Sequence, residues 1–216
     1  MYTIPHYRWG LGAFRRRGLA PYLDVSAARR CVWPMSLRVF AALPVPEPIA
    51  DEAAELMDEQ VPGANWRPIE NLHVTLAFYG ELDEPVIADL DAQLACIATR
   101  PFQMRLSGAG HFSQGGQPTS IWLGVEDSEP LRDLARACSR AARGAGFTPE
   151  PRVYRPHLTL AYLERDVEFV RIQRFEQRLS LWKSPAFTAD RFHLYSSRQR
   201  KPGKPNLYEI EAVYPL

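Results

Sequence analysis

No stretch of this 216-residue chain approaches the roughly 18 to 20 consecutive apolar residues that a membrane-crossing helix needs. Cysteine is scarce. Cys31, Cys96 and Cys138 are an odd number without Cys-x-x-Cys spacing, which excludes a disulfide framework and a cysteine-rich zinc module. The chain is therefore expected in a reducing compartment, the cytoplasm, with its cysteines acting as small buried apolar residues, Cys31 excepted. The phosphate-cradling loops GxxxxGK(S/T) and GxGxxG are missing, so ATP or NAD binding has no motif behind it. Missing too are the GxSxG of a serine hydrolase and the HExxH of a zinc protease.

A surplus of one charge sign is also lacking, since 26 Lys and Arg face 25 Asp and Glu. The balance is uneven along the chain. Residues 1–34 carry six arginines and one acid, five positive charges in excess. Residues 35–216 carry 20 basic and 24 acidic residues, four negative charges in excess. The body is thus no generic basic nucleic-acid binder, and a polyanion has to be gripped locally.

What is present reads as an ordinary globular domain, 46% hydrophobic and 24% charged. Residues 1–34 show neither a helical nor a strand period and contain Pro5, Pro21 and Pro34. They read as a basic extension, either a disordered arm or sequence upstream of a start at Met35. A targeting peptide would need an amphipathic or apolar stretch that is not there. From Met35 onward, strand and helix signals alternate. A strand at Leu37–Leu43 precedes a helix at Pro46–Gln60, a break at Pro62-Gly63, and strands at Trp66 and Asn71–Tyr79. A helix at Glu84–Ala98 leads to strands at Phe102–Phe112 and Ser120–Val125 around a Gly/Pro turn. A helix at Glu129–Ala145 ends at Gly144 and Gly146. A strand from His157, a helix at Val167–Phe175, and strands at Thr188–Ser196 and Tyr208–Val213 complete the order. This predicts one α+β domain over 35–216. It is expected to be a monomer of two similar lobes, each contributing one His-x-Thr strand.

The central observation is a repeat. His73-Val74-Thr75-Leu76-Ala77-Phe78 recurs as His157-Leu158-Thr159-Leu160-Ala161-Tyr162, 84 residues later. On a regular strand, alternate side chains point to opposite faces. Val74, Leu76 and Phe78 then face a core, as do Leu158, Leu160 and Tyr162. His73 and Thr75 share the other face, about 6.6 to 7 Å apart along the strand, as do His157 and Thr159. A lone histidine on a strand is more often a packed residue than a catalyst. A duplicated packing unit, however, has no reason to keep both His and Thr on the face away from its apolar side. His111 and His193 lack such a setting and read as packing or surface residues, as does Trp66.

Two imidazoles flanking one group suit an in-line displacement, in which one takes a proton from the attacking oxygen and the other gives one to the leaving oxygen. Threonine hydroxyls orient phosphate oxygens, so phosphorus is the natural reacting centre. No carboxylate cluster accompanies either histidine, and His-x-Thr is not metal-ligand spacing, so no metal or cofactor is expected.

With these residues, the chain resembles the two-histidine (2H) phosphoesterase superfamily, and within it the RNA 2',3'-cyclic phosphodiesterases, historically called 2'-5' RNA ligases. The resemblance rests on Asn71 to Gly80, Arg155 to Ala161, Arg38 to Ala42, Trp66, and Trp122-Leu123-Gly124, and it covers 35–216. It implies pseudo-symmetric lobes around a central cleft, each with an antiparallel-type sheet and helices, and metal-independent hydrolysis of a terminal 2',3'-cyclic phosphate on RNA or a nucleotide to a 2'-phosphate. His73 and His157 are implied as catalytic, with His157 activating water and His73 protonating the 3' oxygen, roles the sequence leaves interchangeable. Thr75 and Thr159 are implied to bind phosphate. One departure stands out, because Tyr162 occupies a position where the family often has arginine. Arg155, or the loop residues Arg198, Arg200, Lys201 and Lys204, are the replacements expected for it. Tyr162 itself and Phe112 are further substrate-contact candidates. The alternatives are a nucleotide- or RNA-binding module without turnover, and the same site acting on a cyclic phosphate of ADP-ribose or on 2'-5' linkages.

Overall fold

The computed structural model describes residues 36–57, 61–150, 153–198 and 206–216. The expectations for residues 1–34, for Met35 as a start, and for Arg200, Lys201 and Lys204 lie outside these residues. Among the described residues, four α-helices and ten strands follow one another. They are β1 (Ser36–Pro44), α1 (Glu47–Glu55), β2 (Ala64–Trp66), β3 (His73–Asp83), α2 (Glu84–Ala95), β4 (Phe102–Met104), β5 (Leu106–Gln114), β6 (Gln117–Val125), α3 (Glu129–Gly144), β7 (His157–Leu163), α4 (Phe169–Leu179), β8 (Phe187–Ala189), β9 (Arg191–Arg198) and β10 (Leu207–Pro215).

Local chemistry accounts for most of the boundaries. Helices α1, α2 and α3 each open with Glu-Pro. Proline lacks the N–H that a first turn leaves unbonded, and the glutamate complements the positive end of the helix dipole. Helix α3 ends where Gly146 takes a φ of +84° and the Phe147 N–H returns to the Ala142 carbonyl at 3.1 Å. Gly115 and Gly116, at φ +58° and +82°, close the β5–β6 hairpin. Their positive φ values match the two-residue turn that follows the natural twist of paired strands.

Three expectations need correction. The apolar run at 102–112 is two strands, not one. The chain breaks between them, and β4 leaves to form a separate two-stranded sheet with β8. The closing strand at 188–196 is likewise divided, into β8 and β9. Cys96 is exposed, whereas Cys138 is fully buried.

The main sheet runs β10-β9-β1-β3-β7-β6-β5, with β2 also paired to β7 and every pairing antiparallel. The two lobes anticipated from sequence are thus two halves of one sheet, joined only where β3 meets β7. That junction is a single register pair, Val74 opposite Leu158. Both residues are completely buried. They belong to a core that includes Leu131, Leu134 and Cys138 of α3 and Ile172 and Phe175 of α4. Helices α2 and α3 pack on each other and on β3, and α4 packs on β5.

Tight backbone approaches lock the strand that bears His157. Gly124 of β6 lies opposite His157, and a Cβ at Gly124 would stand 2.6 Å from the Ser107 carbonyl oxygen. Backbone cannot move aside cheaply, so Gly124→Ala is expected to destabilise the fold by about 1–3 kcal/mol. Urea unfolding at constant m-value measures this. A midpoint equal to that of the unmodified protein would show that the strand tolerates the extra carbon.

Candidate functional site

An antiparallel pair has local two-fold symmetry, and here the axis passes between Val74 and Leu158. In that single pair Val74 is flanked by His73 and Thr75, and Leu158 by His157 and Thr159, on strands running in opposite directions. Both strands turn their aliphatic residues to the core. All four polar side chains line one cavity of about 870 Å³, toward the upper end of the range for small-molecule sites.

The two rings are oriented in the same way. The Nδ1 of His73 lies 2.8 Å from the Asn71 carbonyl oxygen, and the Nδ1 of His157 lies 2.6 Å from that of Arg155, in each case two residues upstream. A carbonyl only accepts, so each Nδ1 carries the hydrogen and donates it. Each neutral ring is thereby left with one basic nitrogen, Nε2, for proton transfer.

Both rings sit among aromatics. His73 packs against Phe40, Tyr195 and Tyr208, with ring centroids 4.9, 5.9 and 5.4 Å away. His157 meets Phe112 edge-on at 4.7 Å and Trp122 at 6.2 Å. Burial penalises the imidazolium form. It is the main cause that lowers His73 to about 4, helped by the positive charges of Arg67 and His157 and opposed by the bond to Asn71. Burial also lowers His157, against the bond to Arg155.

Two β-bulges correct the face assignment. Opposite β1, Leu76 is the extra residue between Thr75 and Ala77, and opposite β6, Leu160 is the extra residue between Thr159 and Ala161. In both strands Leu and Ala are buried in succession, which regular alternation forbids. The next aromatic therefore swings to the cavity side. Phe78 and Tyr162 line the cavity, and Tyr162 is 49% exposed, where strict alternation placed both in the core. Tyr79 goes inward instead, its hydroxyl donating to the Cys138 carbonyl at 3.2 Å.

The remaining candidates separate clearly. Phe112 lines the cavity beside His157. Arg155 lies at the exposed rim of the cavity and supplies its backbone carbonyl to His157. Arg198 lies elsewhere, paired with Glu209 at 3.0 Å. His111 pairs with Glu176 of α4 at 2.6 Å. His193 is buried, with Nδ1 3.0 Å from the Tyr195 hydroxyl. Among the described residues, no three of His, Cys, Asp or Glu gather closely enough to hold a metal ion, and no helix is long and apolar enough to cross a membrane.

Sequence reasoning missed Arg67. Strand β2 occupies the edge of β7 at 161–163, just beyond the point where β3 departs. The Arg67 N–H donates to the Leu160 carbonyl at 2.7 Å, which brings the residue to the seam. Its guanidinium carbon lies 5.4 Å from the Tyr162 ring and 5.1 Å from the Tyr208 ring. Arg67 is only 8% exposed, lines the cavity, and holds one buried terminal nitrogen with no hydrogen-bond partner. The only sequence signal was an arginine between Trp66 and Pro68, just ahead of the first motif.

Residues 45–201 match the family model of the 2'-5' RNA ligase superfamily. An RNA 2',3'-cyclic phosphodiesterase of Thermotoga maritima is 29% identical over 177 residues, 74% of this chain and 87% of that one. The protein of that name from Archaeoglobus fulgidus is 30% identical over 131 residues, 60% and 74% of the two chains. The one from Aeropyrum pernix is 38% identical over 96 residues, 44% of this chain and 54% of that one. Among solved structures, E. coli LigT complexed with 3'-AMP shares the fold at a TM-score of 0.66 and 22% identity, over 84% of this chain and 98% of its own.

The ring geometry predicts an NMR result. Both imidazoles should show the Nδ1–H tautomer at neutral pH. His73 should stay neutral down to about pH 4, and His157 should titrate below 6.5. The unfolded chain takes up these protons near 6.5 while the folded chain resists, so stability should fall as pH drops from 6.5 toward 4. A His73 resonance titrating at or above 6.5 would refute the burial argument.

Proposed function

Because the chain belongs to the 2'-5' RNA ligase superfamily, we propose that it hydrolyses the 2',3'-cyclic phosphate at the end of RNA, or of a nucleotide, to a 2'-phosphate. The reading is carried by one observation. Two histidines, each with Nδ1–H tied to a main-chain carbonyl, enter one cavity from adjacent strands with a threonine beside each. The names of the Thermotoga and Archaeoglobus relatives support the same chemistry.

In this mechanism, Nε2 of His157 takes a proton from water as its oxygen bonds to phosphorus. The P–O3' bond breaks, and Nε2 of His73 gives its proton to O3'. Water is thus added across one ester bond, and the 2' ester remains. The hydroxyls of Thr75 and Thr159 and the guanidinium of Arg67 hold the phosphoryl oxygens. Arg67 takes the part of the arginine that Tyr162 replaces, with Tyr162 as its stacking support. In the resting site, burial and Arg67 keep His73 neutral. The substrate anion offsets the Arg67 charge and favours protonation of His73, so the acid is armed by the group it acts on.

His73→Ala or His157→Ala is expected to lower kcat about 10²- to 10⁴-fold, and the double variant by less than the product, since the pair acts as a unit. Chelation with EDTA should leave the rate unchanged. Both limbs of the kcat/KM profile should lie below 6.5, and the alkaline limb of kcat should lie higher, since it reports the complex. The variant that loses the acid limb identifies the base. Full activity in both folded single variants would refute the mechanism, and a rate abolished by EDTA and restored by a divalent ion would replace it with a metal-assisted one.

Arg67→Ala should cost about 10² in kcat/KM, the usual worth of a fixed donor on a reacting oxyanion. Removing its charge should also move the His73 limb upward. Arg67→Lys should recover that limb position but not the full rate, because a point charge replaces a fork. An Ala variant with lower melting temperature but an unmoved pH profile would mark Arg67 as packing alone.

A further inference from the structure

Helix α3 carries Arg132, Arg136, Arg140 and Arg143. At 100° per residue these fall within about 80° of one another around the helix, some 6 Å apart along the axis for each i, i+4 step. They stand on the face turned away from Leu131, Leu134, Cys138 and Ala142, which are completely buried. A charged helix face is ordinarily just solvated. This one lines the same cavity as His73 and His157.

The cavity as a whole is strongly one-sided. Arg67, Arg155 and the four α3 arginines line it, against a single acid, Glu150. Yet residues 35–216 carry four more acidic than basic residues. The positive charge has been gathered onto the cavity wall, well beyond what one cyclic phosphate needs. Arg132 and Arg136 are partly neutralised by Asp127 and Asp133. Arg140 and Arg143 have no acidic partner among the described residues.

We propose that the arginine row of α3 is a second anion-binding surface, which takes the phosphodiesters of single-stranded RNA upstream of its cyclic end. This rests on the reading of the histidine site given above and adds a polymer preference to it. A stretched ribose–phosphate backbone presents its charges at a repeat comparable to the arginine spacing. The row lies along one helix on the wall of the cavity that holds the histidines, so a strand with its end held there can reach it. Sequence independence follows, because phosphates carry no base identity.

The test compares 2',3'-cyclic AMP with a decanucleotide ending in a 2',3'-cyclic phosphate. For the full-length protein, kcat/KM should favour the decanucleotide at low salt. Arg140→Gln with Arg143→Gln should lower the decanucleotide value about tenfold and leave cyclic AMP within about twofold. The salt dependence of log(kcat/KM) for the decanucleotide should become shallower by about 1.4, at roughly 0.7 per lost phosphate contact. Arg100→Gln with Arg165→Gln removes the same charge outside the cavity and should change neither substrate. Anisotropy with a fluorescent decanucleotide ending in a 2'-phosphate should show the same dependence on Arg140 and Arg143 without turnover.

The proposal is overturned if the unmodified protein shows no preference for the longer substrate, if both substrates fall together in the Arg140/Arg143 variant, or if the distant pair has the same effect. Failure of the unmodified protein on both substrates would count against the histidine reading instead, while the anisotropy measurement would still decide the arginine row.

Discussion

One contact organises the molecule: Val74 against Leu158, the only register pair between β3 and β7. It joins the halves of the sheet, and it sets two His-x-Thr segments side by side in opposite directions. Both residues are completely buried, so hydrophobic burial fixes the register, and a slip by one residue would turn every polar side chain into the core. Because the strands separate immediately beyond this pair, space opens beside it. The junction therefore brings the two histidines and two threonines to one cavity. It also leaves an edge of β7 for β2, and so determines where Arg67 enters.

The repeated motif made the antiparallel α+β character and the meeting of the histidines and threonines in one cavity readable in advance, because burial patterns are written in residue type. The helices were readable for a similar reason, with Glu-Pro at three of the four starts and glycine beyond the end of α3. The bulges at Leu76 and Leu160 were not readable. A bulge depends on which neighbouring strand is present, and neither segment contains a glycine or proline to announce it. Phe78 and Tyr162 were consequently assigned to the wrong face. Arg67 was missed because its place in the cavity comes from a pairing between β2 and β7, some hundred residues apart in the chain. The splitting of residues 102–112 has the same origin, since β4 is drawn off by β8, a partner far along the chain.

The electrostatics of the cavity form a coherent whole. Packing the imidazoles among Phe40, Tyr195, Tyr208, Phe112 and Trp122 makes a resident positive charge on either ring costly. Arg67 adds to that cost at His73. The permanent cations are guanidiniums, which remain charged under any such burden. Under the proposed mechanism the labour divides by chemical type, with arginines supplying fixed charge and histidines a mobile proton. An arriving anion is the one species that favours both at once.

The orientation of the two rings has a consequence for how this protein can vary. Many catalytic histidines are steered by an aspartate or glutamate, a partner that one codon change removes. Here the steering atoms are the carbonyl oxygens of residues 71 and 155. Every amino acid supplies that oxygen, so the side chains at these two positions can drift without loosening either imidazole. The arrangement also contributes no ionisable group of its own, so ring orientation is insensitive to acidity. Heritable loss of this ring orientation has to come through the path of the backbone, by insertion, deletion or a proline that redirects the turn before each strand.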